Sequence, residues 1–162
     1  MKRVIALLLA VIMAVSLTAC GTGEEEKTIP GTLPEIIDRL YDTVELDDET
    51  REFVKTSLTT MDIAKEDVQY YFGMEIAACE EAVASEPMIN AIPFSICLMR
   101  VKSGTDIEAL KEEIKANANP RKWVCVEVDA SDVRVESVGN LVLLIMAENS
   151  EKYSEAFYAL AE

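Results

Sequence analysis

The chain has 162 residues, half of them hydrophobic, with 15 Lys+Arg against 30 Asp+Glu and no histidine. A formal net charge of −15 is repelled by nucleic-acid phosphates and by anionic lipid or wall polymer, so nucleic acid is excluded as a partner. Lack of histidine removes Ser–His and Cys–His nucleophiles, imidazole metal ligands and the usual general base near neutrality.

The chain opens on Met1-Lys2-Arg3 and continues as an apolar run from Val4 to Leu17. As a helix that run reaches about 20 Å at ~1.5 Å per residue, short of a hydrocarbon core of roughly 30 Å. Residues 1–19 therefore read as a signal peptide and not as a permanent span. Leu17-Thr18-Ala19-Cys20, followed by Gly21, has the pattern of a bacterial lipobox. On that reading Cys20 Sγ takes a diacylglycerol thioether and the leader is cut just before it. Two acyl chains, at about 0.8 kcal/mol per buried CH₂, hold a protein on a bilayer without a polybasic patch. The expected partner is then the membrane, through diacylglyceryl-Cys20, and the expected location is the extracytoplasmic face of a bacterial cell membrane.

Residues 20–32 form the lipidated cysteine and an acidic tether. The stretch GTGEEEKTIPG lacks periodicity and cannot bury enough surface to order itself. Residues 33–162 are expected to make one domain. Thr32-x-x-Glu35 is a capping box with Pro34 in the first turn. Leu33, Ile36, Ile37, Leu40, Tyr41 and Val44 then form one apolar stripe of a helix. A weaker helix follows over 48–58, and a short one near 65–72 stops at Gly73.

From there the pattern shifts towards strands. Residues 76–85 are Ala-rich and ambiguous between helix and strand. Phe94–Lys102 is apolar on both faces, as a central covered strand should be. Thr105-x-x-Glu108 reads as a second capping box, opening a helix that Asn119-Pro120 ends. Trp123–Val128 alternates weakly. Val133 and Val135 precede a hairpin turn at Gly139-Asn140, and Leu141–Ala147 is a second buried strand. Asn149 or Ser150 caps a closing helix with Tyr153, Ala156, Phe157 and Leu160 inward. The expected fold is α+β: an antiparallel sheet of about four strands, in the order strand-strand-helix-strand-strand-helix, covered by amphipathic helices and preceded by a short helical segment.

With Cys20 lipidated, Cys79, Cys97 and Cys125 remain, an odd number, so at most one intramolecular disulfide can form. A Cys79–Cys97 bridge stays open, and Cys97 inside Ile-Cys-Leu-Met reads as a small buried hydrophobe. The sequence has no C-x-x-C, no phosphate-cradling glycine loop and no Ser-x-x-Lys. No catalytic residue, cofactor or metal site is therefore assigned. Asp47-Asp48-Glu49 and Glu80-Glu81 lack Ca²⁺-loop spacing and read as solvated surface, and Asp129-Ala-Ser-Asp132 as turn chemistry. Tyr70 and Tyr71, with Phe72, either floor a ligand groove or close the short helix onto the sheet; Trp123 carries the same two readings.

Several segments resemble one family. These are the lipobox and acidic tether, Ile96–Lys102 running into Ser-Gly-Thr-Asp, Asn119-Pro120 with Trp123, Gly139-Asn140-Leu141-Val142, and Glu155-Ala156-Phe157-x-Ala159-Leu160. They are similar to the small bacterial lipoproteins, mainly of Firmicutes, that carry the domain of unknown function numbered 4358. The resemblance spans roughly residues 33–161 and brings no catalytic set with it. The expected function is a non-catalytic binding or accessory module of the cell envelope, with an envelope protein as possible partner. The alternative is a carboxylate-based extracytoplasmic enzyme acting on a glycan, a chemistry that needs no histidine.

Overall fold

The computed structural model describes residues 27–162. The leader, the Leu17–Cys20 lipobox and the start of the expected tether lie outside them. Five helices and five strands follow: α1 (Leu33–Thr43), α2 (Asp48–Thr56), β1 (Leu58–Asp62), α3 (Val68–Phe72), β2 (Cys79–Pro87), β3 (Ser95–Val101), α4 (Ile107–Asn117), β4 (Val133–Val138), β5 (Leu141–Met146) and α5 (Ser150–Ala159). The α+β class stands, with the strands in one antiparallel sheet of order β1-β2-β3-β5-β4.

The sheet is covered on both faces, and strand alternation decides which residue goes where. Ile96 and Leu98 of β3, with Leu141, Leu143 and Ile145 of β5, face α1, α2 and α5. Cys97, Met99 and Val101, with Val142, Leu144 and Met146, face α3, α4 and Trp123. All six residues of β5 are buried, which is why LVLLIM shows no polar alternation.

Local signals set the ends of several elements. Thr32 and Glu35 form the expected capping box at α1, and such a cap contributes about 1 kcal/mol. Gly73 ends α3 at φ +80°, and a Cβ there would stand 2.0 Å from the Asn117 carbonyl oxygen at the end of α4. Glycine is needed at that crossing both for its backbone and for its missing side chain.

Three expectations change. A fifth strand, β1, lies at the sheet edge with its side chains mostly exposed, so it lacks the apolar run that marks a covered strand. The helix at 107 is capped by Asp106, whose side chain accepts from the Ala109 N–H, and not by a Thr105 box; Thr105 instead donates to the Lys102 carbonyl. The last residues assigned to the tether belong to the domain: Thr28 exchanges two backbone hydrogen bonds with Glu162, and Ile29 is buried among α1 and α5.

The three described cysteines are free thiols. Cys79 pairs across β2–β3 with Val101, whereas Cys97 pairs with Ala84. Four residues along a strand is about 13 Å, beyond the reach of a disulfide, whose Cα atoms stay within about 7 Å. Cys97 is fully buried, and burial pushes its thiol up to about 11.

Candidate functional site

The three aromatic residues singled out in sequence do come together, around a lysine of the same chain. Lys122 Nζ stands 5.4 Å from the ring centre of Tyr70, 5.1 Å from Tyr71 and 5.4 Å from Trp123. The same ammonium donates to Glu86 and, at 3.1 Å, to Ser95 Oγ. Its side chain is 3% exposed, and that of Glu86 is 16% exposed. Trp123 is buried and Tyr71 half-buried, while Tyr70 lies on the surface. The rings therefore hold an internal cation and offer no empty groove.

Ser95 beside a lysine resembles a serine–lysine nucleophile pair. Access removes that chemistry. Ser95 is fully buried, its hydroxyl also meets Cys97 Sγ at 3.3 Å, and the ammonium already donates both to Glu86 and to the Ser95 hydroxyl. The arrangement is a buried ion pair sealed by aromatics. Its desolvation cost is offset by the cation–π contacts and by hydrogen bonds that satisfy the ammonium.

A different arrangement opens at the end of the sheet where β3 begins and β5 ends. There α2, the Ile92–Phe94 loop, residues 127–132 and the start of α5 enclose an open cleft of about 550 Å³. Glu49, Glu127, Asp129, Asp132 and Glu148 line it. Its apolar side comes from Ile92, Pro93 and three rings: Phe53 meets Phe94 edge-on with centres 5.6 Å apart, and Phe94 meets Tyr153 edge-on at 5.9 Å. Edge-to-face packing of this kind fixes ring orientation; Phe53 stays half-buried, while Phe94 and Tyr153 belong to the core behind the cleft wall.

Part of the acidity has a local cause. The first turn of α2 and the start of α5 both point here, and acids favour helix N-termini. Asp47 caps α2, and hydrogen bonds from the Thr50 N–H and hydroxyl hold its carboxyl below the ordinary range. Asp129 is held low by the Ser131 hydroxyl and N–H, the turn chemistry expected of that segment. Glu127 pairs with Arg121, and Asp132 accepts from Ser150. Glu49 and Glu148 take part in none of the six ion pairs of the described residues.

Two helix N-termini amount to about one positive elementary charge in all. Against five carboxylates and one paired arginine, the cleft stays anionic. No three acids or cysteines among the described residues are placed to hold a metal ion. The charge is spread around the rim and does not converge on a point.

Tyr153 adds a polar demand. It is fully buried, lines the cleft, and its hydroxyl has no hydrogen-bond partner. Burial first, and then the Asp47 carboxylate at the start of α2, push its ionisation well above the ordinary value. The hydroxyl is therefore neutral and feels the Asp47 charge at the start of α2. Asn149, on the rim, sits at φ +61°, a left-handed conformation that asparagine tolerates better than most residues.

Sequence reading had Asp47-Asp48-Glu49 as solvated surface, and Glu49 is exposed, but on the rim of this cleft. Glu80 and Glu81 are both exposed beside a register shift in β2, and Glu81 pairs with Arg100. Phe53, Phe94, Glu127, Glu148 and Tyr153 carry no local motif. Phe53 falls on the apolar side of the helix expected over 48–58, Phe94 opens the apolar 94–102 run and Tyr153 turns inward by periodicity, but nothing in the sequence marks Glu127 and Glu148 or brings the five together.

The fold and this cleft define a class: an α+β domain on one antiparallel sheet, with an acid-rimmed, aromatic-floored cleft at one end. In comparisons with known protein families, curated proteins and solved structures, nothing matches the chain. No helix among the described residues is long and apolar enough to cross a membrane.

Proposed function

We propose that the chain is a lipoprotein held on the extracytoplasmic face of a bacterial membrane by diacylglyceryl-Cys20, and that its domain is a non-catalytic binding or accessory module working through the acidic cleft. The cleft carries the second half of this reading, because concave apolar sites with a few polar groups are where ligands bind. Leu17-Thr18-Ala19-Cys20 after a cationic and apolar leader supports the first half, as does the resemblance to the lipoproteins with the domain of unknown function numbered 4358.

The five carboxylates of one cleft also favour a second reading, a glycan-cleaving enzyme with a carboxylic acid and a carboxylate as its working pair. Such chemistry needs a protonated acid. Asp129 is held ionised, and Glu127 is engaged with Arg121. That leaves Glu49, Asp132 and Glu148 for the pair. Release of reducing ends from wall glycan by the intact protein, abolished in the Glu49→Gln/Glu148→Gln variant, would favour the enzyme over the module.

Mass spectrometry of protein from its bacterial host tests the anchor. A diacylglyceryl mass on an N-terminal Cys20 is expected, and the Cys20→Ala variant should stay unprocessed. Normal processing and membrane retention of that variant would overturn the placement. A photocrosslinker carried at Ile92 on the cleft wall should capture a defined species in living cells. The same group at Glu112, exposed on the opposite face of the molecule, should not. Equal capture from both positions would sink the cleft as the working surface.

A further inference from the structure

We infer that the cleft between α2 and α5 binds a small organic cation with an apolar body, a ligand of the alkyl- or arylalkylammonium class. This rests on the cleft being the binding surface.

Three observations point to that chemistry. The first is charge: five carboxylates line the site, and two of them, Glu49 and Glu148, join no ion pair among the described residues. Such a field raises the local concentration of cations and repels anions. Dispersal of the acids matters as much as their number. A divalent metal needs several oxygens at one point, about 2.0–2.6 Å from the ion, and no such cluster exists among the described residues. A diffuse field suits an organic ammonium, which needs no convergent shell of oxygens.

The second is the floor. Half-buried Phe53 is the ring that the cleft exposes, held edge-on against buried Phe94, which in turn meets buried Tyr153 edge-on. Ring faces attract ammonium groups, and apolar side chains take up the rest of such a ligand. At about 550 Å³ the cleft is in the range of small-molecule sites, roughly 300–1,000 Å³.

The third is the Tyr153 hydroxyl. Fully buried and unpartnered, it is a polar group that the protein alone leaves unsatisfied. Buried hydroxyls are normally paired, so an orphan at a cleft floor marks where a ligand group belongs. An ammonium N–H can donate to its oxygen.

The protein contains its own example of this recognition. Around Lys122, one ammonium is held by three rings, the Glu86 carboxylate and the Ser95 hydroxyl. The cleft offers related ingredients, the half-buried Phe53 ring, carboxylates and the buried Tyr153 hydroxyl, with no lysine or arginine lining it.

The test uses the full chain, lipid included, in detergent micelles, titrated calorimetrically with 2-phenylethylammonium, neutral 2-phenylethanol, and anionic 3-phenylpropanoate. The ammonium should bind with Kd below about 1 mM, at least tenfold tighter than the alcohol, and weaken as salt rises. Phe53→Ala and Glu49→Gln/Glu148→Gln should each weaken it about fivefold or more, and Glu112→Gln should not. Salt and ligand arms need no variant, so a folding defect cannot mask the result. Equal binding of ammonium and alcohol, or no ammonium binding at about 1 mM, would overturn the cation assignment. A Phe-Lys peptide blocked at both ends that binds tenfold tighter than the free ammonium would overturn the small-molecule assignment. Saturation by the alcohol or the carboxylate, lost in Phe53→Ala, would refute the cation while leaving the cleft a binding surface. Failure of crosslinking from Ile92 in cells is the separate result that removes the cleft itself.

Discussion

The Lys122 cluster and the acidic cleft are built from similar parts and end in opposite states. In the cluster, the chain supplies its own cation: Lys122 satisfies Glu86, faces three rings and leaves nothing open. In the cleft the acids and half-buried Phe53 meet water, Phe94 and Tyr153 are buried behind them, and the Tyr153 hydroxyl stays unpaired. The difference is in where the positive charge comes from. A complete internal pair is a structural element, and the incomplete set at the surface is what the proposed cation site rests on.

This contrast can be broken or sharpened by experiment, starting with the largest effect. Lys122→Met leaves Glu86 unpaired beside buried Ser95 and Cys97. Losing one partner of a buried pair costs roughly 3–5 kcal/mol, and the low end is expected because Glu86 keeps some exposure. Urea unfolding reads this directly, and Lys122→Met/Glu86→Gln should recover much of the loss. A loss under about 1 kcal/mol would place the pair among weak surface bridges and erase the contrast.

A middle effect is expected in alkali. Tyr41 and Tyr153 have their ionisation raised from 10.0, chiefly by burial. A folded value above the unfolded one means that the unfolded chain releases protons first. Stability is therefore complete below about pH 10 and falls as pH rises towards the folded values. Unfolding followed across that window should show the decline, and Tyr153→Phe should flatten it. At neutral pH Tyr153→Phe should cost little or even stabilise, since it removes a hydroxyl with no partner. A loss of about 2 kcal/mol or more would mean the hydroxyl is satisfied after all.

The smallest effect belongs to the rim. Glu148→Gln should change stability by no more than about 0.5 kcal/mol, in the favourable direction, because it relieves repulsion among neighbouring carboxylates. That gain should shrink with added salt. A clear destabilisation would show that Glu148 has a structural role and would weaken its place in a ligand site.

Much of the fold was legible because its signals are local. The Thr32–Glu35 box, the glycine stop at Gly73, the Gly139-Asn140 turn and the unbroken apolar run of β5 all act within a few residues. β1 was not legible, because an edge strand with exposed side chains needs no apolar pattern; its partner β2 supplies the register. Asp106 displaced Thr105 as the cap because both are good caps one residue apart, and only the backbone geometry distinguishes them.

The sites were less legible. Tyr70, Tyr71 and Trp123 were visible as aromatics, but their shared lysine was not. In Pro120-Arg121-Lys122-Trp123 nothing marks Lys122 as buried and Arg121 as exposed. The cleft gathers Glu49, Phe53, Phe94, Glu127 and Tyr153 from segments far apart in sequence. No short motif can record such a meeting, and only chain folding creates it.

The Thr28–Glu162 pairing has a directional consequence. It brings the chain into the domain beside the Gly139–Asn140 turn, where the Lys27 carbonyl would lie 3.1 Å from a Cβ on Gly139. The cleft lies beyond the other end of β5, whose six residues span about 20 Å at ~3.4 Å each. The cleft mouth thus lies at the far tip of the sheet from the end where residue 27 enters the domain. On a protein moored to a bilayer from that side, the mouth would look outward, clear of the lipid headgroups.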